Sequence, residues 1–478
     1  MTIRKLHILI VASVIFSLGA FAQQNNPKGG KQSKSSSGAK VWITSAANDV
    51  FFQEQPVTGQ PINASVPAIE IDDSQTFQTM DGFGYTLTGG SALHIHNMEP
   101  AARTALLREL FATDGSNIGV SYIRLSVGAS DLDEKVFSYN DLPAGETDVE
   151  MKKFDLGYDK LYLIPVLKEI LAINPKIKFL GSPWSAPTWM KTNNDTRGGS
   201  LKPEYYDAYA LYFVKYIQAM KAQGITIDAI TIQNEPLHPG NNPSMFMPDT
   251  AQANFIKKSL GSVLASNNIK TKIIVYDHNA DRPDYPMTIY KDAEASRYVD
   301  GAAFHLYGGK IDTLSSVHAA YPDKNLYFTE QWVGAPGNMV EDISWHVKTL
   351  IIGASRNWCR TVLEWNLANN PENKPHTDRG GCDRCLGAVT IDGSKVTRNP
   401  AYYIIAHASK FVRPGSVRIA SNIPNGLPNV AFKTPDGKKV LIVFNDGSSK
   451  ASFNIKSAGK IFTASLDKGA VATFEFER

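Results

Sequence analysis

The chain is predicted to be an α/β protein: a (β/α)8 TIM barrel with an additional antiparallel β side domain formed by both chain ends. Three observations lead there. Eight short apolar runs recur from Tyr85 to Trp365, each followed by polar or aromatic residues. Amphipathic helical stretches separate most of these runs, and strand–helix alternation calls for parallel pairing. After Lys410 the pattern changes to short β-type runs joined by turns such as Pro435-Asp-Gly437 and Asn445-Asp-Gly447. Asp-Gly between alternating runs is a hairpin signal.

Taken in order, residues 1–22 read as a secretory signal peptide: Arg4 and Lys5, an apolar run from Leu9 to Phe21, and small residues before Gln23. The run is short for a membrane span, so export to a secreted, periplasmic or cell-surface location is expected, with no integral membrane segment left after cleavage. Residues 23–40 are Gln, Asn, Gly, Ser and Lys with little that is apolar, the composition of a disordered linker. Residues 41–77 hold strand-like runs (Lys40-Val-Trp-Ile43, Ala68-Ile-Glu-Ile71) expected to join the side domain. The barrel is placed at 78–410 and a C-terminal β-sandwich side domain at 411–478.

Within the barrel the expected strands begin at Tyr85, Ser121, Lys176, Asp228, Lys272, Val299, Asn325 and Thr361. Helical spacing covers Ala101–Phe111, with Leu106, Leu107, Leu110 and Phe111 on one face. Further helices are expected from about Tyr158 to Ala172 and from Glu204 to Gln223. A doubly wound open sheet is the alternative, weakened by the lack of a Gly-x-Gly-x-x-Gly turn after any strand.

Composition narrows the function. Of 478 residues, 43% are hydrophobic and 20% charged, an ordinary globular mix. The net charge of +3, with much of the basic excess in the leader and linker, offers no stripe for nucleic acid. Three cysteines are too few to build a fold on disulfides. Cys382 and Cys385 read as a short-loop disulfide or a pair of free thiols, and Cys359 stands alone.

Two strand ends carry the chemistry. Ile230-Thr-Ile-Gln-Asn-Glu-Pro236 is apolar, then presents Asn234 and Glu235 before a proline that no strand interior accepts. Asn325-Leu-Tyr-Phe-Thr-Glu-Gln-Trp332 has the same design and presents Glu330. In an eight-stranded barrel, catalytic groups sit at the C-terminal ends of strands, and the fourth and seventh strands bring their loops face to face. Two facing carboxyls suit glycosidic bond cleavage, one giving a proton to the leaving oxygen and one attacking the anomeric carbon. Asp131 is a candidate acceptor for sugar hydroxyls. Glu364 is a rival carboxylate, while His278 and His305 are read as hydrogen-bonding groups rather than metal ligands. No His-x-x-x-His helix and no Gly-x-Ser-x-Gly elbow is present to support a zinc or serine hydrolase. A carbohydrate-binding protein on a disused barrel is the non-enzymatic alternative.

Six strings in order, Asp81-Gly-Phe-Gly84, Ser182-Pro-Trp-Ser-Ala-Pro-Thr-Trp189, Gln233-Asn-Glu-Pro236, Phe304-His-Leu-Tyr307, Thr329-Glu-Gln-Trp332 and Trp365-Asn-Leu-Ala368, together resemble glycoside hydrolase family 30. The resemblance implies Glu235 as acid/base and Glu330 as nucleophile of a retaining enzyme. It implies that Asp131, Trp184, Asn234, His305, Tyr307 and Trp365 line the subsite of the cleaved sugar. Family substrates include glucosylceramide, β-1,6-glucan and xylan, and the loop Asn370–Cys382 looks closer to the microbial β-1,6-glucanase branch. A polysaccharide or oligosaccharide substrate, no cofactor and a monomeric enzyme are the remaining expectations.

Overall fold

The computed structural model describes residues 39–56 and 62–477. The expected signal peptide lies outside them, as does all of the expected linker except Ala39 and Lys40, which open the first strand of the side domain.

Eight parallel strands close into a barrel. In chain order they are Gly82–Leu87, Tyr122–Ser126, Lys178–Ser182, Ala229–Thr231, Lys272–Asn279, Val299–His305, Asn325–Glu330 and Cys359–Glu364. Each is followed by helix: Pro100–Phe111 in the first unit, then Leu163–Ile173 and Tyr206–Ala222, and finally Pro400–Ser409 after the eighth strand. The eighth strand closes the ring on the first, pairing Thr361 with Gly82 and Glu364 with Tyr85. Gly84 is required there, because a Cβ would stand 1.9 Å from the Tyr122 carbonyl oxygen.

Alternation along each strand sorts side chains into layers. Tyr122, Leu180, Ala229, Ile274, Ala303, Tyr327 and Leu363 form an apolar plug inside the barrel. Two residues further along, the same strands carry Arg124, Ser182, Thr231, His305 and Thr329. A polar floor thus lies above the plug, toward the C-terminal ends of the strands.

The side domain uses both ends of the chain, as expected. Its nine-stranded sheet runs, in spatial order, Val50–Pro56, Ala39–Ser45, Val471–Phe476, Lys439–Phe444, Asn429–Lys433, Val417–Ser421, Ala68–Thr79, Ala451–Ser457 and Lys460–Leu466. All neighbours are antiparallel except Ala68–Thr79 with Ala451–Ser457, which pair in parallel. The unbroken apolar run Val440–Phe444 exists because both of its faces are buried. Val440, Ile442 and Phe444 pack into the barrel's helix layer, while Leu441 and Val443 join Phe453, Ile455 and Phe474 in a second core. His407, on the last barrel helix, bridges Thr44 and Thr473 at 2.8 and 2.9 Å.

Two small additions in the loops after the barrel strands went unforeseen. Val333–Gly334 pairs with Cys385–Leu386, and Ala368–Asn369, Val389–Asp392 and Lys395–Arg398 form a three-stranded sheet. Both rest on strands of two to four residues inside loops, too short for periodicity to reveal.

Candidate active site

Asp277 organises the polar floor. Its Oδ2 accepts from Arg124 Nη2 (2.8 Å), Ser182 Oγ (2.6 Å) and Thr231 Oγ1 (2.7 Å), and its Oδ1 from Thr329 Oγ1 (2.6 Å) and His305 Nε2 (3.1 Å). Burial opposes its charge, but Arg124 and the His305 bond outweigh that and hold its carboxyl well below the usual range. Asp277 reaches the axis because the fifth strand slips register between Tyr276 and His278. Tyr276 and Asp277 take left-handed φ values of 72° and 70° there. Such a slip re-aims side chains next to active sites.

Arg124 links this hub to the reactive groups. Its Nη1 donates to Glu330 Oε2 at 2.5 Å, and its Nη2 also reaches Asn234 Oδ1 at 2.6 Å. The guanidinium carbon stands 4.8 Å from the Trp184 ring centroid, and Trp184 and Trp365 lie 5.4 Å apart. Tyr307 Oη donates to Glu330 Oε1 at 2.9 Å, which leaves that carboxylate held from both sides.

Glu235 is presented by a turn in the backbone. Asn234 N–H donates to the Pro183 carbonyl (2.8 Å) and Glu235 N–H to that of Asp277 (3.0 Å), while Glu235 itself has φ 44°. A non-glycine residue in this region costs on the order of 1–3 kcal/mol and persists only where its surroundings over-determine it. His305 Nδ1 donates to Glu235 Oε1 at 3.2 Å and lies 3.9 Å from Glu330 Oε1. One donor atom each from Glu235, His305 and Glu330 falls within a mutual 4.8 Å. A cation among them would compete with Arg124 for Glu330 and with the two carboxylates that already occupy both nitrogens of His305.

The electrostatics follow from this crowding. Burial lowers the His305 imidazole, but Glu330, Asp277 and Glu235 outweigh it and push it up to about 9, so the ring is charged at neutral pH. Burial also opposes ionisation of Glu235, and the bond and charge of His305 overcome it to hold its carboxyl below the ordinary value. Burial raises Glu330 against the pull of His305 and Arg124, and the charge on Glu235 adds to the rise. Asp131 is pushed up to about 8 by burial, then by Glu330 and Glu235. It is therefore a carboxylic acid at neutral pH, able to donate to a hydroxyl as well as accept.

A cavity of about 250 Å³ opens over these groups. Asp131, Trp184, Asn234, Glu235, Tyr307, Glu330 and Trp365, all singled out from the sequence, line it. His305 does not line it: fully buried, it sits behind the two glutamates, between Glu235 and Asp277. Glu364 is no rival. Alternation turns it outward from the barrel, where it binds His346 Nδ1 at 2.8 Å, while Trp365 turns into the cavity. Cys382 and Cys385 form a disulfide and line the cavity wall beside Trp332; Cys359 is free and buried. Sequence reasoning missed Arg124, although an arginine inside Tyr122-Ile-Arg-Leu-Ser126 was the available signal. Asp277, His238, Asn241 and Asn279 were also unassigned.

The comparisons with known proteins agree with this geometry. Residues 80–412 match the glycosyl hydrolase family 30 TIM-barrel domain and residues 415–474 the family 30 beta sandwich domain. The endo-1,6-beta-D-glucanase neg1 of Aspergillus fumigatus is 35% identical over 415 residues, covering 81% of this chain and 83% of the relative. The endo-1,6-beta-D-glucanase of Neurospora crassa is 33% identical over 439 residues, covering 87% and 90%. Among solved structures, the endo-beta1,6-glucanase BT3312 superposes with a TM-score of 0.85 at 35% identity, covering 92% of this chain and 99% of that one. Barrel, sandwich and strand-end glutamates thus come together in one conclusion: the chain belongs to glycosyl hydrolase family 30.

Proposed function

We propose that this protein is a retaining endo-β-1,6-glucanase with Glu330 as nucleophile and Glu235 as general acid/base. The observation that carries the reading is the spacing of the two glutamates, whose nearer oxygens lie within 4.8 Å. Retaining glycosidases hold their carboxyl groups roughly 5–5.5 Å apart, whereas inverting ones leave roughly 6.5–9.5 Å for a water. Similarity to enzymes named for β-1,6-glucan supports the linkage.

In the first step a Glu330 oxygen bonds to the anomeric carbon as the glycosidic C–O bond breaks, and Glu235 protonates the departing oxygen. The proton is held on the Glu235–His305 hydrogen bond. Its shift to Glu235 leaves a neutral imidazole still bonded to Asp277. In the second step the Glu235 carboxylate takes a proton from water. The water oxygen bonds to the anomeric carbon and Glu330 leaves as carboxylate. Arg124 and Tyr307 keep the nucleophile oriented, and Trp184 and Trp365 offer apolar faces to a sugar ring. We take the enzyme to act as a monomer, exported by residues 1–22. No described helix is long and apolar enough to cross a membrane.

A panel of β-1,6-glucan, laminarin, xylan and glucosylceramide tests the reading. Reducing ends are expected from β-1,6-glucan as a ladder of oligomers, with a product of retained anomeric configuration by NMR. Release only from xylan or glucosylceramide would overturn the linkage, and inverted product would overturn the mechanism. Retention of glucan without cleavage would make the protein a binder.

A further inference from the structure

The cavity has two chemically different ends. Trp184, Trp365 and Asp131 gather around Glu330 and its Arg124 partner. His278 and His238 stand beside Glu235, and Asn241 and Asn279 line the same cavity; the reaction above uses none of the four.

His278 is the telling member. Its residue is only 8% exposed, and its Nδ1 has no hydrogen-bond partner among the described residues. Its Nε2 lies 3.9 Å from Glu235 Oε1, too far for a hydrogen bond. Burial, aided by the charge on His305, outweighs the pull of Glu235 and brings the imidazole down to about 4, so it is neutral and keeps both a donor and an acceptor. The register slip that turns Asp277 to the barrel axis also sets His278 opposite Phe304 and delivers its ring to the cavity. Nδ1 is walled off by protein, so Nε2, beside Glu235 and bonded to no described residue, is the atom a ligand can meet.

Its neighbour is built the same way. Asn279 Oδ1 accepts from Tyr307 N–H at 3.0 Å, which fixes the amide and leaves its Nδ2 as a donor. The side chain lines the same cavity.

Resting on Glu235 as the acid, we infer that His238, Asn241, His278 and Asn279 form the subsite for the leaving group, and that they select a hydroxyl-bearing sugar there. An acid/base must touch the glycosidic oxygen, so groups beside Glu235 and away from Glu330 face the departing half of the substrate. A sugar hydroxyl can bond His278 Nε2, the ring nitrogen beside Glu235. An acyl chain would bury it unpaired, and a site built to hydrogen-bond a hydroxyl strongly rejects a ligand lacking one. The same atoms must hold an incoming sugar when a glycan hydroxyl, in place of water, intercepts the Glu330 ester, since the two directions share one transition state.

That symmetry supplies the test. An aryl β-gentiobioside forms the glycosyl–enzyme ester with release of nitrophenol, and methyl β-D-glucoside then competes with water for it. The ratio of transfer product to hydrolysis product is read for wild type, His278→Ala, His278→Gln and Asn279→Ala. Because both products arise from molecules that turn over, the ratio is independent of how much variant folds. The inference expects the ratio to fall about tenfold in His278→Ala, the scale of one lost hydrogen bond. Asn279→Ala is expected to lower it as well, and His278→Gln to restore part of the loss. Nitrophenol release with a ratio unchanged in both alanine variants would overturn the subsite and leave the proposed reaction standing. A wild-type protein that releases neither nitrophenol nor reducing ends from β-1,6-glucan would overturn the reaction itself, and the subsite with it.

Discussion

Arg124 and Asp277 meet at 2.8 Å inside the barrel, and neither side chain is exposed. The pair joins the fold to the chemistry. From Asp277 the network runs through His305 to Glu235, and from Arg124 it runs directly to Glu330. Both proposed catalytic carboxylates therefore hang on one buried ion pair, contributed by the second and fifth strands.

Removing half of that pair should be costly. Arg124→Met strands the Asp277 charge, and breaking a buried pair from one side costs about 3–5 kcal/mol. Urea denaturation should show a loss of that size, partly recovered in Arg124→Met with Asp277→Asn. A single variant as stable as wild type would mean that the pair contributes little to holding the floor together.

Glu235→Ala should separate the two steps. On β-1,6-glucan, which has a poor leaving group, turnover is expected to fall by about 10²–10⁴-fold. An aryl glycoside should still show a burst of phenol, and azide should accelerate turnover and yield a β-glycosyl azide. Glu330→Ala should show no burst. Formation of the β-azide by Glu330→Ala instead would reverse the two assignments.

His305 makes stability sensitive to alkali. Its folded pKa, about 9, stands above the ordinary value of 6.5, so the native state holds the proton more tightly than the unfolded chain does. The resulting stabilisation, on the order of 3 kcal/mol, is complete below about pH 6.5 and lost as pH rises to about 9. Melting temperature should fall across that window, and the slope should flatten in His305→Gln. Parallel slopes in the two proteins would count against a charged His305.

Glu364 should matter to folding alone. It is fully buried against His346, away from the cavity. Glu364→Gln should lower stability by about 1–3 kcal/mol, the penalty for a mismatched buried hydrogen bond, with kcat on glucan unchanged. A fall in kcat matching that of Glu235→Ala would restore it as a rival for catalysis.

The disulfide should act on binding more than on stability. Cys382 and Cys385 are separated by three positions and close a short loop on the cavity wall. Loop-closure entropy for so few residues amounts to at most about 2 kcal/mol. The double Cys382→Ser, Cys385→Ser variant should raise KM for oligosaccharides with little change in melting temperature. The opposite pattern, a large thermal shift at constant KM, would make the bridge purely structural.

Much of this protein was readable from its residues in order. Local periodicity marks the eight barrel strands and their helices, because a strand buried on both faces has to be apolar and has to stop where polar loops begin. The same reasoning located Glu235 and Glu330 at strand ends and paired the chain termini in one side domain. Arg124, Asp277 and the inner position of His305 escaped it. Their partners lie in other strands, 28 to 206 positions away, and register decides which side of the barrel wall a residue faces. The slip at Tyr276–His278 shows why: it turns Asp277 to the axis and His278 to the cavity, a choice stabilised by five converging donors that no single strand contains. Sequence by itself determined the barrel and the identity of its acidic strand ends, since those depend on burial and local pattern. Tertiary structure alone decided how those acids are charged and held, because that depends on distances closed only when the barrel closes.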